Sequence, residues 1–167
     1  RAKDGEKPSP VVMDVLIGQA IKEVVMHEVG HTLGLRHNFK GSTMLQNSQL
    51  NDLNVTRKQG LVGSVMDYSP VNLAPKGTPQ GDYFTTTLGP YDYWAIEYAY
   101  KPLSGGTEGE ADALQQIATK CACPGLDYGT DEDMATADPL TNVFDLGADP
   151  MQFGKDRILL AEELLKN

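Results

Sequence analysis

All three histidines of this 167-residue chain fall inside one short window, His27-Glu28-Val29-Gly30-His31-Thr32-Leu33-Gly34-Leu35-Arg36-His37. Imidazole is the commonest metal-ligating side chain, so the spacing decides what these residues can do. His27 and His31 are four apart, and on a helix their Cβ atoms lie one above the other about 5–6 Å apart. Both can then reach one Zn²⁺ through bonds of about 2.0–2.1 Å. Glu28 sits about 100° further round the helix. It flanks the metal without pointing at it, which suits a base acting on a water beside the ion and suits a ligand poorly. Gly34 has no Cβ and can take the left-handed conformation that ends a helix. Beyond that bend His37 can swing back as a third ligand. Three histidines leave one position of a tetrahedral zinc open, the mark of a catalytic site rather than a structural one.

The extended pattern H-E-x-x-H-x-x-G-x-x-H, followed by a methionine turn, is the signature of metzincins. Here Ser64-Val65-Met66-Asp67-Tyr68 supplies the turn, 29 residues after His37. On these motifs the chain resembles the metzincin clan of zinc endopeptidases. The stretches His37 to Ser42, Ser64 to Pro70 and Leu88 to Tyr98 look like a bacterial branch of large secreted or surface-attached metalloproteases. The resemblance implies that His27, His31 and His37 bind one Zn²⁺, that Glu28 is the general base, and that Met66 forms an apolar floor under the metal. It implies a protein or peptide substrate and a secreted, cell-surface or periplasmic setting. In some clan members a tyrosine two residues after the methionine approaches the zinc, and Tyr68 holds that position here, where it would help stabilise an oxyanion. Asn38 lies where the subfamilies differ. Asp67 and Asp92 are candidates to support a ligand histidine through hydrogen bonds.

Those residues need a helix to carry them. From Pro10 to Leu33 the chain reads as one long helix, with Pro10 suited to a first helical position and Asp14 near its start favouring the dipole. Ile17, Ala20, Ile21 and Val24 form a stripe that runs on to His27, Glu28 and His31. Leu16, Val25, Val29 and Leu33 make a second apolar face, so the helix is expected to need cover on both flanks. Gly30 costs about 1 kcal/mol against Ala in a helix, and close approach of another group beside the metal is its functional reading. Metzincins carry a sheet before this helix, whereas about nine residues precede it here. The expectation is a single, mainly α unit over residues 1–167, the lower, C-terminal part of a metzincin-like catalytic domain. Its N-terminal sheet would be largely absent from this chain, as in a piece of a larger one, and the uncovered helix face would favour self-association.

The net charge of −9 argues against a nucleic-acid or anionic-membrane surface, and no apolar run is long enough to span a bilayer. Lys40 to Gly63 reads as loop with one short helix near Ser48–Leu53. Val71 to Gly81, with Pro75, Gly77, Pro79 and Gly81, reads as loop. Helices are expected over Leu88–Lys101, Glu108–Lys120 and Lys155–Lys166. The first should carry core aromatics (Tyr91, Trp94, Tyr98, Tyr100). The last should bury Ile158, Leu159, Leu160, Leu164 and Leu165. Cys121 and Cys123 are too close for an ordinary disulfide and read as free thiols. The acidic stretch Asp127, Asp131, Glu132, Asp133, Asp138 offers oxygens of the kind Ca²⁺ takes. It lacks EF-hand spacing and reads as a solvated loop.

Two rival readings use the same residues. One is a binding domain that keeps zinc without catalysis, against which the presence of Glu28 argues. The other is an amidase or deacetylase turning the same tripod on a non-protein amide.

Overall fold

The computed structural model describes residues 9–135 and 138–166, without the side chains of Thr107 and Glu108. It is mainly helical, with no strand among the described residues. Five α-helices follow in order: α1 Pro10–Thr32, α2 Leu53–Gln59, α3 Pro90–Tyr100, α4 Gly106–Ala118 and α5 Pro150–Leu165. No helix is long and apolar enough to cross a membrane among the described residues.

Helix α1 starts where local chemistry says it should. Ser9 is the N-cap, its Oγ accepting from the Val12 N–H, and Pro10 is the first helical residue. The helix ends in a Schellman motif: Gly34 is left-handed at φ 85°, its N–H donates to the His31 carbonyl, and the Leu35 N–H donates to the Gly30 carbonyl. The bend that sends the chain towards His37 is therefore closed by its own hydrogen bonds.

The face that packs is not the one the apolar stripe suggests. Glu23, His27 and Gly30 are buried, with Leu16, Gln19, Ala20 and Met26 half-buried. Ile17, Ile21 and Val24 are exposed, and so are Val25, Val29 and Leu33. The packed stripe is the predicted one rotated back by a residue. The reason is polar: Gln19 donates to Asp82 at 2.7 Å and accepts from the Tyr83 N–H at 2.6 Å, which docks the loop after the Met-turn onto the helix. Of the second face, Leu16 gains partial cover and the other three residues gain little. The N-terminal arm before Ser9 lies outside the described residues.

The core lies away from α1. Leu45, Leu50, Leu61, Val62, Leu146 and Phe153 form one buried cluster with Met44 and Val55 against it. Most of these side chains come from loops and short turns, so the core is assembled by chain crossings rather than by helix stripes. The segment expected to hold a helix at Ser48–Leu53 instead makes a 3-10 turn at Asn47–Gln49 followed by α2, capped by Asp52. The 71–81 loop is irregular as expected, held by Asn72, whose Nδ2 donates to the Leu50 and Asp82 carbonyls.

Two helices differ from expectation in what they bury. In α3 the buried residues are Asp92 and Ala95. Tyr91 and Trp94 are half-buried, and Tyr98 and Tyr100 are exposed. The aromatics act as ties: Trp94 Nε1 donates to the Ile117 carbonyl of α4, and Tyr100 Oη donates to the Leu33 carbonyl at the end of α1. Helix α5 starts five residues before the expected Lys155, capped by Asp149 on the Gln152 N–H with Pro150 first. Phe153 is its anchor in the core, while Ile158, Leu159, Leu164 and Leu165 are exposed. Cys121 and Cys123 are free and exposed.

Candidate metal centre

One ring nitrogen from each of His27, His31 and His37 lies within 4.8 Å of the others. The two helical rings have centroids 4.7 Å apart, and the His37 ring is 5.4 and 4.9 Å from them. The helix sets the first pair by its period, and the Schellman bend returns the third.

Each imidazole is tethered through Nδ1. His27 donates to the Val65 carbonyl at 2.8 Å, His31 to the Leu35 carbonyl at 3.0 Å, and His37 to the Asp131 carboxylate at 2.9 and 3.2 Å. A carbonyl or carboxylate can only accept, so these partners fix the proton on Nδ1 and leave the Nε2 lone pair for another partner. Metal-ligating histidines are held in this way. The residues at the turn thus serve twice: Gly34 redirects the chain, and the next carbonyl steadies His31.

The Met-turn lies beneath. Met66 is fully buried, and a Cβ on Gly30 would overlap its Sδ. Gly30 therefore allows close approach of the methionine to the helix between His27 and His31. Asp92 holds the turn from α3: it accepts from Ser64 Oγ at 2.7 Å, from the Val65 N–H at 3.0 Å, and from the Gly89 N–H at 2.8 Å. Since Val65 also supplies the acceptor for His27, Asp92 supports that histidine through the backbone without touching it. Asp67 touches none of the three histidines either; its carboxylate accepts from the Ser42 N–H at 2.7 Å. Asn38 is fully buried and anchors the 127–129 backbone, donating to the Asp127 carbonyl and accepting from the Gly129 N–H.

Glu28 is exposed beside His27. Tyr68 is part-exposed, with Oη 2.9 Å from His37 Nε2; because His37 carries its proton on Nδ1, the tyrosine donates. Burial pushes the His27 imidazole below its ordinary pKa, which keeps it neutral and able to ligate. Contact with His37 holds the Asp131 carboxyl below the usual range.

The acidic stretch is exposed at Asp131 and Glu132, as expected of a solvated loop, but its carboxylates are paired: Asp131 meets His37, Glu132 meets Arg36 at 2.7 Å and Asp138 meets Lys40 at 2.7 Å. Asp131 was legible as a carboxylate and not as a partner, because the 94 residues between it and His37 carry no sequence signal of the contact. Phe144 was also missed. It is 64% exposed, has a left-handed backbone at φ 62°, and lies over Tyr68 with centroids 6.3 Å apart. Its N–H donates to the Tyr68 carbonyl, which fixes that conformation.

Three clustered imidazoles with fixed tautomers fit zinc, whose sites favour imidazole and a small, tetrahedral shell; Tyr68 Oη holds the His37 nitrogen that the metal would take. Comparison with curated proteins and with solved structures finds no match. A family described as Met-zincin matches over residues 9–167, a name that agrees with the histidine triad and suggests a zinc-dependent peptidase. The chain belongs to the Met-zincin family.

Proposed function

We propose that this protein is a zinc endopeptidase in which His27, His31 and His37 hold the metal and Glu28 is the general base. The observation that carries the reading is the convergence of three Nδ1-tethered imidazoles with an exposed carboxylate next to the first of them. Bound there, zinc would lower the pKa of a water from 15.7 to about 7 and polarise the carbonyl of the bond to be cut. Glu28 accepts the proton given up by the attacking water, holds it on its carboxylate, and passes it to the leaving amine. Its exposure leaves it free to meet a bound peptide. Tyr68 presents a hydroxyl beside His37, where a donor stabilises the oxyanion of acyl transfer. Buried Met66 keeps the floor of the site apolar and fixed. A secreted or cell-surface setting, periplasmic included, goes with this reading through family resemblance.

The test is metal content and peptide hydrolysis in the full-length protein, wild type beside Glu28→Gln. Wild type should carry about one zinc per chain and cleave an unlabelled protein substrate. Glu28→Gln should keep its zinc and lose activity by about 10²–10⁴-fold, the contribution of a general acid–base group. Hydrolysis of acetylated sugars but not of protein would favour the amidase reading instead.

A further inference from the structure

The acidic segment 127–132 meets the chain around His37 almost residue by residue. Arg36 Nη2 donates to both Glu132 oxygens at 2.8 and 2.7 Å. His37 Nδ1 donates to Asp131 at 2.9 Å. Asn38 donates to the Asp127 carbonyl at 3.0 Å, and the Phe39 N–H donates to the Gly129 carbonyl at 2.7 Å. Four consecutive residues are thus tied to one downstream loop, and the ring contact in their midst is made to a carboxylate.

We propose that Asp131 is a positioning residue of the metal centre, whose carboxylate fixes the ring plane and tautomer of His37 and strengthens its Nε2 as a ligand. The inference deepens the metal-centre reading and rests on it. His27 and His31 are tethered to neutral backbone carbonyls, while His37 alone of the three is tethered to an anion. A charge-assisted hydrogen bond is roughly twice as strong as a neutral one, and an anionic acceptor on Nδ1 raises the basicity of the opposite nitrogen. His37 also lies past the end of α1, so the helical period that places the other two does not place it. The surroundings keep Asp131 available to the ring. Thr130 Oγ1 donates to it at 3.2 Å. Arg36 lies 3.7 Å from it but spends its short contacts on Glu132.

Zinc affinity measured by competition with a chromophoric chelator tests this in the full-length protein, with the visible spectrum of the Co²⁺-substituted form as a readout independent of activity. Asp131→Ala should weaken zinc binding by about 10–100-fold and alter the Co²⁺ bands. Asp131→Asn, which can still accept from Nδ1–H but carries no charge, should fall between, and Asp131→Glu should recover part of the loss. Asp138→Ala removes a nearby ion pair, the one to Lys40, without touching the ring or Arg36 and should stay close to wild type. If Asp131→Ala binds zinc as wild type does with unchanged Co²⁺ bands, or if Asp138→Ala loses as much as Asp131→Ala, the assignment is overturned. Wild type that binds no zinc at all would instead overturn the metal-centre reading.

Discussion

At the scale of single residues, the centre depends on positions where two requirements meet. On the proposed reading each histidine ligates through Nε2 and needs an occupied Nδ1, and the fold supplies three different acceptors for the second. Replacing His27, His31 or His37 by Ala leaves two ligands, so bound zinc should be lost on dialysis. Elemental analysis checks this, and a variant that retains stoichiometric metal would remove that residue from the ligand set. Gly30 offers a test in which two effects compete. Ala is favoured over Gly by about 1 kcal/mol within a helix, but the added Cβ would meet the Met66 sulfur, and overpacking costs about 1–3 kcal/mol. Met66 is fully buried and the turn that carries it is pinned by Asp92, so it has little room to retreat. Gly30→Ala should therefore lower the melting temperature; a rise would show that the sulfur moves aside at small cost.

At the scale of elements, the same helix that carries His27 and His31 leaves its apolar sides uncovered. Ile21, Val25 and Val29 are spaced by four and each about half exposed, at 59%, 54% and 49%. Full burial of such a side chain from full exposure gains about 1.5–3 kcal/mol, so covering these half-exposed ones gains about half that each, and together they favour association of the chain. Sedimentation should show oligomers, and Ile21→Ser, Val25→Ser and Val29→Ser together should return it to monomer; a monomeric wild type at tens of micromolar would sink this. Helix α1 was legible in the sequence from its Pro10 start to its Gly34 stop, because caps and breakers act locally. Which face of it packs was not. Gln19 and Glu23 turn inwards to meet polar groups near residues 82–85, and a long-range polar dock leaves no periodicity to read. The same holds for α5, where the apolar count pointed to Leu159 and Leu164, while one aromatic, Phe153, sits in the core. The histidine window was readable for the opposite reason: its geometry is set by the helical period and one bend. Asp131, reached through a distant loop, was not.

At the scale of the whole molecule, the balance of charge is carried inwards. Glu23, Asp67, Asp92 and Asp145 are all buried, and none has an ion-pair partner among the described residues. Several of their oxygens, Glu23 Oε1, Asp67 Oδ1 and both of Asp145, lack any hydrogen bond. Burial pushes Glu23 up to about 7 and Asp67 up to about 8, and raises Asp92 and Asp145 as well. A carboxyl whose folded pKa exceeds its unfolded value contributes stability below the unfolded pKa, and that contribution is lost as pH rises through the folded one. For Glu23 and Asp67 the window runs from the ordinary carboxylate range near 4 up to about 8. Within it each group changes stability by about 1.4 kcal/mol per pH unit. His27 works the other way, because burial lowers its pKa and its protonation favours unfolding below about 6.5. One histidine against four carboxyls leaves the acids dominant above that point. The metal-free protein should therefore melt at a higher temperature at pH 6.5 than at pH 8.5. Chelator must be present, since zinc released from protonated histidines would add an opposing slope. Asp67→Asn and Glu23→Gln, which remove the ionisation at nearly constant shape, should raise the melting temperature at pH 8.5 and flatten its pH dependence. If both variants keep the wild-type slope, the buried carboxyls are not what sets it.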